Sequence, residues 1–125
     1  MLEQVNKKVL SETLSKFRES GNAYAEFGVS ARCVGGPKVE VRIRDHVVRM
    51  DTAPFFGGED SAPRPGEVVL AGLAGCIIQV IMWNSALYDV PIEDLTVNVR
   101  ARHELVSMFD ASAGWPGDVD VQVEI

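Results

Sequence analysis

Cysteine and histidine are scarce in this chain of 125 residues, which contains two of each. Cys33 and Cys76 are too few for the disulfide framework that holds small secreted domains together. Neither cysteine lies in a CxxC pair, and neither His46 nor His103 has a partner at a spacing that is typical of a zinc site. The sequence therefore predicts no metal and no cofactor.

Basic segments are also lacking. The twelve lysines and arginines are scattered, and the formal net charge is −6. Nucleic acids and anionic membranes attract positive surfaces, so this charge balance argues against both as partners. The segment from Met1 to Lys8 mixes both charge signs too early for a secretory signal peptide, so we expect a cytoplasmic protein.

The longest apolar run falls short of a membrane span. It extends over sixteen residues from Val68 to Trp83, with Gln79 as its strongly polar member, whereas a helix needs roughly 20 residues to cross a bilayer. A chain of 125 residues with 46% hydrophobic content is typical of one soluble domain. We therefore interpret the run, with its small residues from Gly72 to Gly75, as a helix that is buried by protein.

Periodic patterns divide the chain, taken as a single domain over residues 1–125, into successive elements. They are a helix at 1–20, a strand meander at 24–51, a loop at 52–65, a long central helix at 66–89 and strands at 93–125. Period-two alternation is clearest from Leu95 to Arg102 and from Val119 to Ile125. Because the sequence ends within an apolar alternation, we expect a domain that is either cut short or completed by another chain.

The loop before the central helix is rich in proline and glycine. Long loops of this kind in a small domain are usually functional or connect subunits. We expect the carboxylates of Glu59 and Asp60 to bond backbone groups within the loop. Pro65 opens the helix, and Glu67 lies in its first turn, where a carboxylate complements the helix dipole. The same helix then carries Cys76.

Loop, helix start and cysteine together resemble the signature of the OsmC/Ohr family, which comprises thiol-dependent peroxidases and less characterised relatives. The matching positions are Asp51-x-x-Pro54-x-x-Gly57-Gly58-x-Asp60-x-x-Pro63-x-Pro65-x-Glu67, followed by Leu70-Ala-x-Leu73-x-x-Cys76. The resemblance implies an α+β fold in which an antiparallel sheet wraps a long buried central helix, assembled as an entwined homodimer. It also implies that Cys76 is the peroxidatic cysteine.

The chain departs from the characterised peroxidases of this family at three places. Those proteins have an arginine directly after the Gly-Gly of the first hairpin, whereas Gly36 is followed here by Pro37 and Lys38. They have a glutamate where this chain has Gly66, and Glu67 comes one residue later. Their resolving cysteine lies in a second long helix after the last strand, and this sequence ends before such a helix. These departures favour a non-catalytic domain of the same fold. The leading helix and the turn from Val34 to Gly36 resemble the wider, less characterised OsmC-like group rather than the organic-hydroperoxide branch.

A cysteine attacks a peroxide as the thiolate, so a reactive Cys76 needs a positive charge nearby. Cys76 lies too far along the helix for the dipole of the first turn to suffice, and a strand must supply the cation. The candidates are Arg32, as first choice, then Lys38 as its substitute, and Arg42 and Arg49. Glu67 is expected to orient that cation and to manage the transferred proton.

Alternatives stay open for both thiols. Cys76 can be an inert core residue, since free cysteines are often buried as small hydrophobes. Cys33 is expected to face the core from a strand; alternatively, it resolves a sulfenic acid that forms on Cys76. Without an intramolecular partner, Cys76 would need an external thiol as reductant, such as glutathione or a dihydrolipoyl group.

We therefore expect an OsmC-like peroxidase that reduces organic or inorganic hydroperoxides through Cys76, an antioxidant activity relevant to oxidative stress. One alternative is a non-catalytic OsmC-like domain that binds a small apolar ligand at the dimer interface, and another is a truncated or domain-swapping fragment. Phe55, Phe56 and Trp83 can line an apolar pocket over Cys76 in the first two cases. Trp115 is expected to serve turn packing or a dimer contact.

Overall fold

The computed structural model describes residues 1–110 and 118–125. The predicted turn around Trp115 lies outside the described residues. The chain divides into two compact units. We call Asn22–Val69 the sheet unit, and Met1–Gly21 together with Leu70–Ile125 the helix unit. The organisation of residues 1–125 as a single domain stays a prediction.

The sheet unit contains three antiparallel strands in the order β1-β2-β3. They are β1 (Ser30–Gly35), β2 (Lys38–Ile43) and β3 (His46–Met50). Gly35 and Gly36 connect β1 to β2 with φ angles of 126° and 54°, which glycine adopts without the strain that a Cβ atom would cause. The turn therefore depends on glycine at both positions.

The strand register gives this sheet one apolar and one polar face. Residues directly opposite each other point to the same face, and the faces alternate along each strand. The apolar face carries Ala31, Cys33, Val39, Val41, Ile43, Val48 and Met50, with the polar His46 opposite Ile43 at its end. The polar face carries Ser30, Arg32, Lys38, Glu40, Arg42, Val47 and Arg49. Val41, at the centre of the apolar face, is buried and marks the core of the unit.

The strand predicted to start near Tyr24 begins only at Ser30. Ser30 pairs with Arg42, one residue before β2 ends at Ile43. Residues before Val29 therefore run past the end of the neighbouring strand in this sheet. Their aromatic side chains remain in solvent, with Tyr24 93% and Phe27 95% exposed.

In the helix unit, the first helix, α1, spans Lys7–Ser20. It begins later than predicted because Asn6 caps it: the Asn6 side-chain oxygen accepts a hydrogen bond from the Val9 N–H at 3.2 Å. Gly21 follows the helix in the left-handed conformation, with φ 66°. This is the termination that a glycine at this position predicts.

The long helix, α2, spans Pro65–Leu87. It ends before the predicted residue 89 in a Schellman motif, in which the Val90 N–H donates to the Ser85 carbonyl at 2.8 Å. Asp89 takes the left-handed conformation that this motif requires, with φ 56°. The Asp89 carboxylate also accepts a hydrogen bond from Lys7 Nζ at 2.6 Å, which links this helix end to the start of α1.

In the single chain, α2 is exposed along most of its length. Ser85 and Ala86 are its buried residues. Its most apolar 18-residue window has a mean hydropathy of 1.8 and no buried part. By length and composition the helix could cross a membrane, a test that core helices of soluble proteins also pass. The burial predicted for this helix is therefore not found among the described residues of the single chain.

The remaining strands form an antiparallel hairpin of β4 (Thr96–Ala101) and β5 (Val119–Glu124). Val97 lies opposite Val123 and Val99 opposite Val121, so one face of the hairpin is apolar, as the alternation predicts. All residues of β5 are exposed. Short 3-10 helices lie at Pro54–Phe56 and Val106–Met108. Antiparallel sheets combined with a long helix confirm the predicted α+β class.

Candidate functional site

Cys76 lies at the centre of an apolar stripe on α2. Residues three and four apart share one helix face, and this face carries Val69, Leu73, Cys76, Val80 and Trp83. The four large side chains of the stripe are between 39% and 70% exposed, and the Cys76 thiol is free and exposed. The single chain therefore does not bury this thiol as a core residue.

The four candidate cations lie on one surface of the sheet unit. Arg32, Lys38, Arg42 and Arg49 all belong to the polar face of the sheet. Together they are four of the twelve lysines and arginines in a chain whose net charge is −6. These four basic residues, separated along the sequence, thus share one sheet face, because the hairpin register places residues from three strands side by side.

Three of these cations are paired with carboxylates. Arg32 Nη2 lies 3.4 Å from Glu40 Oε1, and Arg49 Nη2 lies 4.0 Å from Glu40 Oε2. Lys38 Nζ lies 3.0 Å from Glu59 Oε2. The Arg32 side chain is 72% exposed, so solvent screens its ion pair and the guanidinium can turn toward another anion.

Glu67 caps the helix to which it belongs. Pro65 is the first residue of α2, so Arg64 is the N-cap and Glu67 the third helical residue. Glu67 Oε1 accepts a hydrogen bond from the Arg64 N–H at 2.9 Å, which is the acidic half of a capping box. This contact of Glu67 is with the backbone, whereas the sequence predicts a contact with a strand cation.

Replacing Glu67 with alanine is expected to lower the free energy of unfolding by about 0.5–1 kcal/mol, because the Arg64 N–H loses its acceptor. Glu67→Gln keeps a side-chain carbonyl at the same position and should lose only part of this stability. Urea denaturation of both variants measures the difference. Equal losses in the two variants would show that the charge, rather than the cap, stabilises the helix start.

The loop before α2 folds around the carboxylate of Asp51, which is 1% exposed. Its Oδ2 accepts hydrogen bonds from the Ser61 hydroxyl at 2.6 Å, the Ser61 N–H at 3.0 Å and the Glu59 N–H at 3.2 Å. Its Oδ1 accepts from the Thr52 N–H at 2.8 Å. The Ser61 hydroxyl, followed by the Ser61 N–H, holds the pKa of Asp51 well below its usual range, against the opposing effect of burial.

Backbone contacts complete the loop. The Asp51 N–H donates to the Pro63 carbonyl at 3.0 Å, and the Asp60 N–H donates to the Thr52 carbonyl at 2.9 Å. A Cβ atom on Gly58 would collide with the Thr52 carbonyl oxygen, so only glycine fits there. Asp51, Gly58, Asp60 and Pro63 belong to the sequence signature, which therefore describes the architecture of the loop that leads into α2.

The expectation that the Glu59 carboxylate bonds the loop backbone is wrong. That carboxylate pairs with Lys38, and it is the Glu59 N–H that contacts the Asp51 carboxylate. Asp60 contributes its N–H in the left-handed conformation, with φ 52°. The carboxylate that organises the loop is Asp51, a role that sequence reasoning missed although its position in the signature pointed to it.

Cys33 lies on the apolar face of the sheet, as expected for a strand residue, but it is exposed in the single chain. Its Sγ atom lies 3.4 Å from the Gly36 carbonyl oxygen. An open cavity of about 290 Å³ borders Cys33, Arg32 and Lys38. Cys33 thus lies on the sheet face that was predicted, but its predicted burial is wrong for the single chain. Its role as a resolving cysteine stays a prediction.

The proposed partners of Cys76 come from different units. Arg32, Lys38 and Glu67 belong to the sheet unit, whereas Cys76 belongs to the helix unit. Their assembly into one site stays a prediction. Among residues 1–110 and 118–125, no group of three or more His, Cys, Asp or Glu side chains could hold a metal ion.

Phe55 contacts two neighbours in the loop before α2. The rings of Phe55 and Phe56 have centroids 4.7 Å apart, and the Arg64 guanidinium lies 5.8 Å from the Phe55 centroid, within cation–π range. Trp83 belongs to the helix unit and is 42% exposed. A pocket of these aromatic side chains over Cys76 stays a prediction.

Solved structures similar to this chain include two bacterial proteins. One is a protein of Psychrobacter arcticus 273-4 described as an osmotic stress induced and detoxification response protein, with 14% identity and a TM-score of 0.61; the match covers 81% of this chain and 71% of that one. The other is an organic hydroperoxide resistance protein OsmC of Legionella pneumophila, also described as a predicted redox protein and regulator of sulfide bond formation. It has 19% identity and a TM-score of 0.55, with 82% of this chain and 69% of that one covered.

No protein-family model and no curated protein matches the sequence. At these low identities the structural likeness shows the fold alone. The chain has an OsmC-like fold, and the resemblance read from the sequence is confirmed at that level.

Proposed function

We propose that this chain is a thiol-dependent peroxidase that reduces organic or inorganic hydroperoxides through Cys76. The observation that carries the proposal is a free, exposed thiol on the long helix of an OsmC-like fold, preceded by a loop built on an ionised Asp51. Stopped-flow reduction of an alkyl hydroperoxide by the unaltered chain and by Cys76→Ser tests it. Equally slow reaction of both would refute it.

In the proposed reaction, the Cys76 thiolate attacks one peroxide oxygen. An S–O bond forms as the O–O bond breaks, and the leaving alkoxide takes up a proton to become an alcohol. Sulfur is oxidised by two electrons to a sulfenic acid, and the hydroperoxide is reduced by the same two electrons. Arg32, or Lys38 in its place, stabilises the thiolate.

A thiol is needed to return Cys76 to its reduced form. An external thiol attacks the sulfenic acid and displaces water to give a mixed disulfide, and a second thiol releases Cys76 as the two external thiols become a disulfide. Glutathione or a dihydrolipoyl group would suit this step. Cys33 is the intramolecular alternative.

The active form is proposed to be a cytoplasmic homodimer. The stripe around Cys76 and the apolar face of the β4–β5 hairpin are exposed in the single chain. A two-stranded hairpin alone is marginally stable in water, and exposed apolar surface of this extent is typical of an interface. The negative net charge and the absence of a basic run in the sequence support a partner that is neither nucleic acid nor membrane.

Sedimentation at micromolar concentration is expected to give a particle of twice the 13.6 kDa chain mass. A charge in the stripe should oppose its burial, so Val80→Glu is expected to weaken the dimer about 100-fold or more. Val47→Glu, on the polar sheet face, is the matched control and should remain dimeric. A folded monomer of the unaltered chain would contradict the dimer.

The second candidate function is a non-catalytic domain that binds a small apolar ligand. The exposed stripe on α2 favours it, because the same side chains that could pack against a second chain could hold an apolar molecule. Native mass spectrometry that finds a retained lipid-like molecule, together with a Cys76 that reacts no faster than an ordinary thiol, would favour binding over catalysis.

A further inference from the structure

Two arginines at one end of the three-stranded sheet have no carboxylate partner. Arg42 lies on the polar face in β2, and Arg44 follows in the two-residue turn that connects Ile43 to His46. Both are exposed. In the part of the chain that the structure describes, neither forms an ion pair, although Asp45 is the next residue in the turn. Their charges are therefore available to an anion from outside the chain.

The backbone of Arg44 has a conformation that is unfavourable for arginine. Its φ of 54° lies in the left-handed region, which glycine adopts without strain and asparagine tolerates. A hairpin turn selected for stability alone would carry one of those two residues here. No ion pair or hydrogen bond of the Arg44 side chain to the described residues offsets the strain. A strained residue of this kind indicates that its side chain serves a function.

The strand register places Arg42 beside two further arginines. Arg32 and Arg49 both lie opposite Glu40, which is two residues from Arg42 along β2. Diagonal neighbours on adjacent strands have Cα atoms about 7–8 Å apart, so Arg42 is close to both arginines. Glu40 is shared between Arg32 and Arg49, at 3.4 Å and 4.0 Å, and those two side chains are 72% and 73% exposed. One carboxylate thus faces three arginines on this part of the sheet.

We propose that Arg42, Arg44 and Arg49 form a docking surface for a short acidic segment of a partner protein. Arginine binds a carboxylate through two parallel hydrogen bonds, so three neighbouring arginines can each hold one carboxylate of an extended chain. Binding at this surface needs neither Cys76 nor peroxide chemistry and goes beyond the proposed function. Arg32 is left out of the surface because the proposed function assigns it to the Cys76 thiolate.

The charge of the whole chain favours a short acidic segment over other anions. The net charge of −6 repels long polyanions such as nucleic acids and anionic membranes. A short segment in contact with the arginines lies within the Debye length of about 8–10 Å, where their charges act on it more strongly than distant carboxylates do. Inorganic phosphate is a single anionic group and cannot reach all three arginines at once.

The test is the binding of a fluorescently labelled glutamate peptide of 6 residues, the length of β2, measured by anisotropy at low ionic strength. We expect saturable binding below about 1 mM peptide. Arg42→Gln and Arg49→Gln should each weaken binding about two- to fivefold, the span of exposed ion pairs. Glu40→Gln should strengthen it, because a competing carboxylate is removed. Cys76→Ser should bind the peptide as the unaltered chain does, so this result is independent of the peroxidase.

Arg44→Gly separates a binding role from a structural one. Glycine relieves the strained φ, so the melting temperature should not fall, whereas peptide binding should weaken about two- to fivefold. Unchanged peptide binding in Arg44→Gly would overturn the role of Arg44, whatever the melting temperature.

Arg100→Gln is the matched control. It removes the same charge from an exposed arginine of β4, which lies opposite Asp120 and belongs to the helix unit, and it should leave peptide binding unchanged. Thermal melting identifies any variant that fails to fold; if Glu40→Gln does, the arginine variants decide. The docking surface is overturned if the peptide does not bind up to about 1 mM. It is also overturned if Arg100→Gln weakens binding as much as Arg42→Gln, or if inorganic phosphate or duplex DNA binds more tightly than the peptide.

Discussion

Replacing Cys76 with serine is expected to abolish hydroperoxide reduction. A thiolate takes up a peroxide oxygen and becomes a sulfenic acid, whereas a serine hydroxyl is not ionised near neutral pH and cannot do this. The rate of hydroperoxide reduction should therefore fall by about a thousandfold or more, to the uncatalysed level. The substitution changes one atom on an exposed helix face, so the fold should persist. Stopped-flow measurement with an alkyl hydroperoxide in excess follows the loss of peroxide directly.

Cys33→Ser is the matched control for this prediction. Under the main proposal, Cys33 contributes nothing to the first turnover, so this variant should reduce the first equivalent of hydroperoxide at the unaltered rate. Slower turnover in later cycles would assign the resolving role to Cys33. If Cys33→Ser is inactive in the first cycle and Cys76→Ser is active, the reactive thiol is Cys33 on β1 rather than Cys76.

Replacing Asp51 with asparagine is expected to destabilise the loop before α2 severely. The Asp51 Oδ2 atom accepts from three donors, and an asparagine must place either its carbonyl or its NH2 group there. Whichever way the amide turns, at least one donor that bonds the buried Asp51 carboxylate loses its acceptor, so the melting temperature should fall by roughly 5–15 °C. Hydroperoxide reduction should fall as well, since the loop leads directly into α2.

The pH dependence of this loss has a defined sign. The pKa of Asp51 is depressed in the folded chain, chiefly by the Ser61 hydroxyl. The stability that the ionised Asp51 carboxylate contributes is therefore fully present above its unfolded-state pKa of about 3.9. It is lost as the pH falls from that value toward the lower pKa of the folded chain. Thermal melts of the unaltered chain and Asp51→Asn should differ most near neutral pH and converge in acid.

Asp60→Asn is the control within the same loop. It also removes a carboxylate, but the contact shown for Asp60 is made by its backbone N–H, and asparagine tolerates its positive φ of 52°. Its melting temperature should stay close to that of the unaltered chain. Similar losses in Asp51→Asn and Asp60→Asn would mean that the loop depends on total charge rather than on the Asp51 hydrogen bonds.

The class of fold could be predicted from the sequence because its signals are local. Alternation at Val39, Val41 and Ile43 and the Gly35-Gly36 turn define β2 and its hairpin without reference to the rest of the chain. The predicted ends of helices and strands differ from the structure where they depend on neighbouring elements. The strand predicted from Tyr24 requires a neighbour, and β2 ends too early to provide it.

The position of Cys76 on the long helix could be predicted from the sequence, but the contacts of the charged residues proposed as its partners could not. A cysteine in an apolar helix after a signature loop is visible in the sequence, but the contacts of charged side chains depend on register. Arg32 and Arg49 are far apart in the chain and meet at Glu40 only because two hairpins place them opposite it. Glu67 accepts a hydrogen bond from the N–H at the helix start, and its contact with a strand cation stays a prediction.

The most direct test of the account is where the oxidised sulfur forms. The chain is treated with one equivalent of an alkyl hydroperoxide in the presence of dimedone, which traps sulfenic acids, and the adduct is located by peptide mass spectrometry. The account predicts an adduct on Cys76 that forms as the hydroperoxide is consumed. Consumption of the hydroperoxide with the adduct on Cys33, or with Cys76 still a free thiol, would contradict it.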